Sequence, residues 1–337
     1  MLYNCAFITN NTNLLTNPKL IMKKILLTAI VAIAIFSCQS DNSETADVSA
    51  TLVAKRACAS DDVLKSKMAA DPTLAIRMNQ IEDFTQQALL SGRIVNGKIQ
   101  IPVIVNVLYR TTSENISTAQ IQSQIDILNE DFNAQNSDFN SVPALFSGVK
   151  ANVGISFVLE AIYRKATTKT SWGTSDAMKS TATGGINATS PTSKMNLWVC
   201  TIGGGILGYA QFPGGASSTD GVAIDSKYIG DTGTAVYPYN LGRTATHEVG
   251  HWMNLRHIWG DANCGSDLVS DTPTHNTSNY GVPAYPHYST CSGNQVEMTM
   301  NYMDYTDDRG MYMFSNGQKS RMAAIFLSGG SRAGFRL

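Results

Sequence analysis

"HEVGHWMNLRH", residues 247–257, holds three of the chain's five histidines. His247 and His251 are four apart, so on a helix their imidazoles share one face, one turn from each other. Imidazole nitrogen binds zinc at about 2.0–2.1 Å, and such a pair supplies two corners of a tetrahedron. Glu248 stands beside the first histidine, next to a metal rather than on it, where a carboxylate can take a proton from an attacking water. His257 comes six residues after His251 and cannot lie on the same face. The helix must therefore stop near Asn254, through a turn that needs positive φ. Glycine takes that conformation freely, and asparagine is the next most tolerant residue. No cysteine lies within the motif, which argues against a closed structural zinc site. The spacing predicts a zinc held by His247, His251 and His257, with its fourth position open.

Upstream of the motif, strands outnumber helices. "GKIQIPVIVNVLYR" (97–110) is rich in Ile and Val and reads as a buried strand. Ser117 and Gln120 have capping-box spacing. Ile121, Ile125, Leu128 and Phe132 then form one apolar helix face. "ANVGISFVLEAIYR", "KMNLWVCTI", "GGGILGYAQFPGG" and "TDGVAIDSKYIG" read as further strands, the third short and set between glycine turns. Beyond Ile258 the chain is almost all loop until "SNGQKSRMAAIFL", where Ser315 and Gln318 repeat the capping-box spacing. So long an irregular stretch needs a metal ion or a disulfide to hold it.

The beginning of the chain reads as an export leader. Lys23 and Lys24 precede an apolar run from Ile25 to Phe36, too short for a comfortable membrane span. "IFSC" resembles the bacterial lipobox, which implies lipidation at Cys38; an ordinary signal peptide with an incidental cysteine is the alternative. Residues 1–21 precede a better start at Met22 and read as an over-extended frame. The boundaries are then a lipoprotein signal at 22–37, a tether and propeptide at 38–93, and a catalytic domain at 94–337. The net charge of −1, from 25 basic and 26 acidic residues, gives no reason to expect nucleic acid as a partner.

"HEVGHWMNLRH" followed by "NYMDYTDD" resembles the pappalysin family of metzincin metallopeptidases, and "NLWVCTIGGGILGYAQFPGG", "NLGRTATHEVGHW" and "SDTP" resemble it too. The likeness covers most of residues 94–337. It implies an α+β fold: an upper part (94–257) with a twisted, mostly parallel sheet and two helices, and a lower irregular part (258–337) with a C-terminal helix. It implies Met303 as the Met-turn beneath the zinc and Tyr305 as the donor to the oxyanion. "GYAQFP" becomes the edge strand that binds substrate backbone as an added strand.

The resemblance also pairs Cys264 with Cys291, while Pro283 and Gly310 stand where a second bridge of relatives would fall. Cys200 reads as a buried free thiol. "KRACAS" resembles the family's Arg-x-Cys latency motif, so Cys58 is expected on zinc in a latent precursor; a Cys58–Cys200 disulfide is the alternative. Asp261, Asp267 and Asp271 lie in a loop that suits calcium, with Asp267 and Asp271 the chosen ligands, or a solvated acidic loop. In this family the segment after the Met-turn walls the pocket for the side chain just after the scissile bond. Arg309 is expected there, disfavouring Lys and Arg at that substrate position with Asp or Glu tolerated or preferred, unless it turns to solvent or pairs with Asp307 or Asp308 and leaves the pocket apolar. Activation is expected to remove residues up to about Arg93. The reading is an exported, lipid-anchored, monomeric zinc endopeptidase of the bacterial outer membrane or cell surface, acting on proteins or peptides. Its rivals are a non-catalytic surface module and a cell-wall zinc amidase.

Overall fold

The structure is a computed structural model that describes residues 55–92 and 99–335, all within one compact unit, Leu52–Leu337. The leader, Cys38 and Arg93 lie outside the described residues. Two helices come first, α1 (Ser60–Ala70) and α2 (Pro72–Leu90). Then follow β1 (Ile99–Tyr109), α3 (Thr118–Phe132), β2 (Ile155–Ala166), β3 (Met195–Cys200), β4 (Gly208–Ala210), β5 (Val222–Asp225), α4 (Arg243–Trp252) and α5 (Asn316–Ala324).

The sheet has the order β2-β1-β3-β5-β4. The first four strands in that order run parallel, and β4 pairs antiparallel with β5 at the edge. In β1 only Gln100 and Tyr109 escape full burial, as an interior parallel strand with both faces covered requires. On one face Ile121, Ile125, Leu128 and Phe132 of α3 and Ala245, Val249 and Trp252 of α4 share a core with β1 and β3. On the other face Trp198, Tyr209 and Cys200 pack with Trp172, Met178 and, from the N-terminal segment, Ala59 and Val63. Cys200 is free and buried, and burial raises its thiol pKa; Cys58 is free too, so the alternative Cys58–Cys200 disulfide is not formed.

The capping box at α5 is complete in both directions. At α3 it is half made: Ser117 accepts from the Gln120 amide, but the Gln120 side chain donates to the Ile229 carbonyl and accepts from the Thr234 amide. A tertiary demand from the 229–234 loop outcompetes the local one.

After α4 the lower part is loop and short turns as far as α5. Cys264 and Cys291 are joined there, closing a loop of sequence separation 27. Cross-linking a loop of that length removes about 3–4 kcal/mol of chain entropy from the unfolded state. Replacing both cysteines by serine should lower the urea midpoint, with a slope equal to or steeper than the parent's because the unfolded chain expands. An unchanged midpoint would show that the bridge contributes nothing to stability.

Candidate active site

Helix α4 begins at Gly242, where φ is +73°. One carboxylate oxygen of Asp308 accepts from the Leu241 and Arg243 amides there, satisfying N–H groups that a helix start leaves open. All ten residues of α4 are buried. Asn254 has φ +73°. The Asn254 amide donates to the His251 carbonyl and the Leu255 amide to the Gly250 carbonyl, the two hydrogen bonds of a Schellman ending with asparagine in the left-handed place. Arg321 of α5 fastens this turn by donating through Nε to the Asn254 carbonyl, and its guanidinium is held by Glu82 of α2. Met303 packs under the helix: a Cβ on Gly250 would meet its sulfur at 2.5 Å.

The three imidazoles are oriented from behind. His247 Nδ1 donates to the Tyr302 carbonyl at 2.7 Å and His251 Nδ1 to the Leu255 carbonyl at 2.8 Å, while His257 Nδ1 is bound by Asp261. With Nδ1 carrying the proton, each Nε2 presents a lone pair. Yet His251 Nε2 lies 3.2 Å from that of His247 and 3.1 Å from that of His257. Lone pairs at such distances repel unless a cation sits among them. A tetrahedral zinc with bonds of about 2.0–2.1 Å needs ligand separations of roughly 3.3 Å, so the set fits zinc. Burial, together with the neighbouring imidazoles, lowers the pKa of His247 far below its usual value and that of His251 to about 3, which keeps both neutral. Cys58 Sγ joins this cluster, and all four ligand atoms lie within 4.8 Å of one another.

The segment from Arg56 to Ser60 engages the rest of the site. It adds to the open edge of β4, with Cys58 opposite Gly208 in parallel sense: the Leu207 amide donates to the Ala57 carbonyl and the Ala59 amide to the Gly208 carbonyl. Ser60 Oγ donates to Glu248 at 2.7 Å and accepts from the Ala210 amide at 2.8 Å. The Cys58 thiol lies 3.3 Å from the same Glu248 oxygen. The Tyr305 hydroxyl donates to the Cys58 carbonyl at 3.1 Å. Burial raises Glu248 to about 7 and holds Tyr305 protonated far above its usual pKa.

Arg56 occupies a pocket of its own. Its Nη2 reaches Asp308 at 2.5 Å, Nε the Thr306 carbonyl at 3.1 Å and Nη1 the Thr244 hydroxyl at 3.3 Å, with the guanidinium over the Tyr239 ring. Both Arg56 and Asp308 are buried. Arg309 takes the alternative that the sequence left open. A single turn of tight helix at 308–310 aims Asp308 inward and leaves Arg309 exposed, beside the exposed ring of Tyr237.

The carboxylates of the acidic loop have protein partners. Asp261 serves His257. Both oxygens of Asp267 accept from Thr272, and Asp271 accepts from Ser315 Oγ and the Gly317 amide at the start of α5. Among the described residues, the group of histidines, cysteines and carboxylates placed to hold a metal is that of Cys58 and the three histidines.

Sequence reasoning placed Arg56 in the Arg-x-Cys motif but missed its partner Asp308, and it missed Ser60; these contacts span about 190 to 250 residues. It also missed Asp131, buried between Thr246 and the Tyr302 hydroxyl. A signal existed for Asp131: an acid three residues after Leu128, on the apolar face of α3. Another existed for Asp261, one helical turn's spacing from His257.

A sheet whose edge strand borders a helix that carries two imidazoles and a buried carboxylate, with a third imidazole returned by the turn after it, is the arrangement of a zinc-dependent hydrolase. Comparisons with known proteins narrow the class. The family described as pregnancy-associated plasma protein-A, Peptidase M43, matches residues 189–327. An extracellular metalloprotease of Pyricularia oryzae is 33% identical over 241 residues, covering 68% of this chain and 75% of its own length. Extracellular metalloprotease 1 of Coccidioides posadasii is 34% identical over 242 residues, covering 68% and 77%. Mature mirolysin of Tannerella forsythia, solved with a cleaved peptide, matches with TM-score 0.70 and 40% identity over 72% of this chain and 97% of its own. A mutant of promirolysin from the same organism matches with TM-score 0.77 and 38% identity over 83% of this chain and 97% of its own. The chain belongs to the pappalysin family of metzincin metallopeptidases. It is a secreted zinc metalloendopeptidase made as a zymogen, and the fold is the expected α+β metzincin type.

Proposed function

We propose that His247, His251 and His257 hold the catalytic zinc through Nε2, that Glu248 carries the proton of peptide hydrolysis, and that Cys58 silences the zinc in the precursor. The observation that carries this reading is the meeting of the Cys58 sulfur with three imidazole nitrogens. When bound, zinc supplies Lewis acidity to the scissile carbonyl and to water. Glu248 takes a proton from the attacking water and returns it to the leaving amine. Tyr305 already donates to one peptide carbonyl, that of Cys58, and the same hydroxyl serves the substrate oxyanion. Met303 supports the zinc helix from below, and Asn254 turns the chain to bring in His257.

Latency has three further contacts besides sulfur: Ser60 on Glu248, the Cys58 carbonyl on Tyr305, and Arg56 on Asp308. Cleavage near Arg93 releases the segment. The intact set of groups favours an enzyme over a non-catalytic module, and an open edge strand favours polypeptide over a small cell-wall amide. The reading keeps lipidation at Cys38, attachment to the outer membrane or cell surface, and a monomeric enzyme. Calcium has weaker support, because Asp267 and Asp271 already accept protein donors.

Cys58→Ala tests the switch. The unprocessed variant should hydrolyse peptides at least about tenfold faster than the unaltered precursor, which corresponds to about 1.4 kcal/mol of lost ligation. Arg56 and Ser60 still occupy the cleft, so activity should stay below that of the processed enzyme. A variant as silent as the precursor, beside an active processed form, would remove the thiol from the account.

A further inference from the structure

Beyond Ser60 the N-terminal segment continues as α1 along the cleft, and one turn-spaced side chain reaches back to the catalytic domain. Lys67 Nζ meets Asp176 Oδ2 at 2.6 Å, Gln211 Oε1 at 2.5 Å and Thr219 Oγ1 at 3.5 Å. Three oxygens facing one nitrogen match the three N–H donors of an ammonium. The catalytic domain builds this place without help from α1. Asp176 Oδ1 is satisfied by Lys179 at 2.8 Å and the Tyr209 hydroxyl at 3.0 Å, which leaves Oδ2 for an incoming group. Gln211 is buried, and its amide nitrogen is fixed by the Ala216 carbonyl, so its oxygen faces the same point. Burial opposes the charge on Asp176, yet Lys179 and Lys67 hold its pKa below the usual value.

Position along the cleft follows from the direction of the segment. On the resemblance that places the pocket for the side chain after the scissile bond behind the Met-turn, Arg56 fills that pocket through Asp308, while Cys58 lies at the histidines. Residues beyond Cys58 therefore cover the side that holds substrate residues before that bond. Gln211 lies three residues past Gly208, which is about 10 Å along an extended chain. We propose that, in the mature enzyme, Asp176, Gln211 and Thr219 form a subsite for a lysine side chain three or four residues before the scissile bond, occupied by Lys67 in the zymogen. The proposal rests on the peptidase reading above. Part of the Lys67 side chain is solvent-exposed, so the gain is modest. The charge-assisted contacts favour Lys over Leu by about five- to tenfold in kcat/KM, and over Glu by more.

The test uses processed enzyme and matched peptides with arginine after the cut and Lys, Leu or Glu at the third or fourth position before it. Lys should lead at one of these positions. Asp176→Asn and, separately, Gln211→Leu should bring the Lys-to-Leu ratio to about 1–2. The second variant leaves the Asp176–Lys179 pair in place and decides the matter if the first fails to fold. Equal cleavage of Lys and Leu peptides by unaltered enzyme, or a preference that survives in the folded variants, overturns the subsite alone. Failure to cleave any peptide sinks the peptidase reading and the subsite together.

Discussion

Glu248→Gln should retain zinc and lose hydrolysis, with kcat lower by about 10³-fold or more, near the upper range for a lost general base. Glutamine matches the shape of glutamate, and its amide oxygen can still accept from Ser60 Oγ in the precursor. None of the three histidines depends on Glu248 for orientation: their Nδ1 partners are Tyr302, Leu255 and Asp261. The fold and the metal set should therefore survive, and only proton transfer should fail. Zinc content and peptide turnover measured on one processed sample separate these effects. Turnover within tenfold of the parent would place the base elsewhere; loss of zinc with activity would make Glu248 a structural residue.

The second large effect concerns the residue after the cut. The processed enzyme should cleave before arginine at least about 100-fold faster than before leucine, because Arg56 shows what the pocket accepts. Removing one partner of a buried ion pair costs about 3–5 kcal/mol, and the Asp308 carboxylate has its second oxygen fixed by two amides at the start of α4. Lysine should rank below arginine, since an ammonium cannot reproduce separate contacts to Asp308, the Thr306 carbonyl and Thr244. Asp308→Asn should abolish most of the arginine preference. Arg309→Ala should change little, since that side chain is exposed. Competitive digestion of peptides with Arg, Lys or Leu at this position decides it. A preference for Leu or Glu in the parent enzyme would restore the opposite reading built on Arg309.

Much of the site was legible because its information is local. Histidine spacing, the turn at Asn254, the adjacent glutamate and the Arg-x-Cys motif each lie within a dozen residues. The strands were legible for a similar reason: Ile and Val runs mark interior parallel strands whatever their partners. The choice between Asp308 and Arg309 was not. Adjacent residues point in different directions, and a tight turn at 308–310 decides which one faces inward. The N-terminal helices carried little pattern because few of their residues are buried, Ser60 and Val63 in α1 and Leu74, Thr85 and Ala88 in α2. Their docking combines small apolar patches around Val63 and Ala88 with polar contacts such as Lys67 to Asp176 and Glu82 to Arg321, which no periodicity announces. The partners of Asp267 and Asp271 were not legible either. A run of acids and turn formers looks alike whether its carboxylates meet a cation or backbone amides, and here the amide and hydroxyl donors of residues 269, 272, 315 and 317 are near enough to take them.

The central claim is that one cysteine sulfur completes the zinc site of the latent chain. X-ray absorption at the zinc edge of unprocessed protein measures that directly. The account predicts three nitrogen neighbours at about 2.0–2.1 Å and one sulfur at about 2.3 Å, with the sulfur absent from the processed enzyme and from Cys58→Ala. A precursor spectrum with only nitrogen and oxygen around zinc would contradict it.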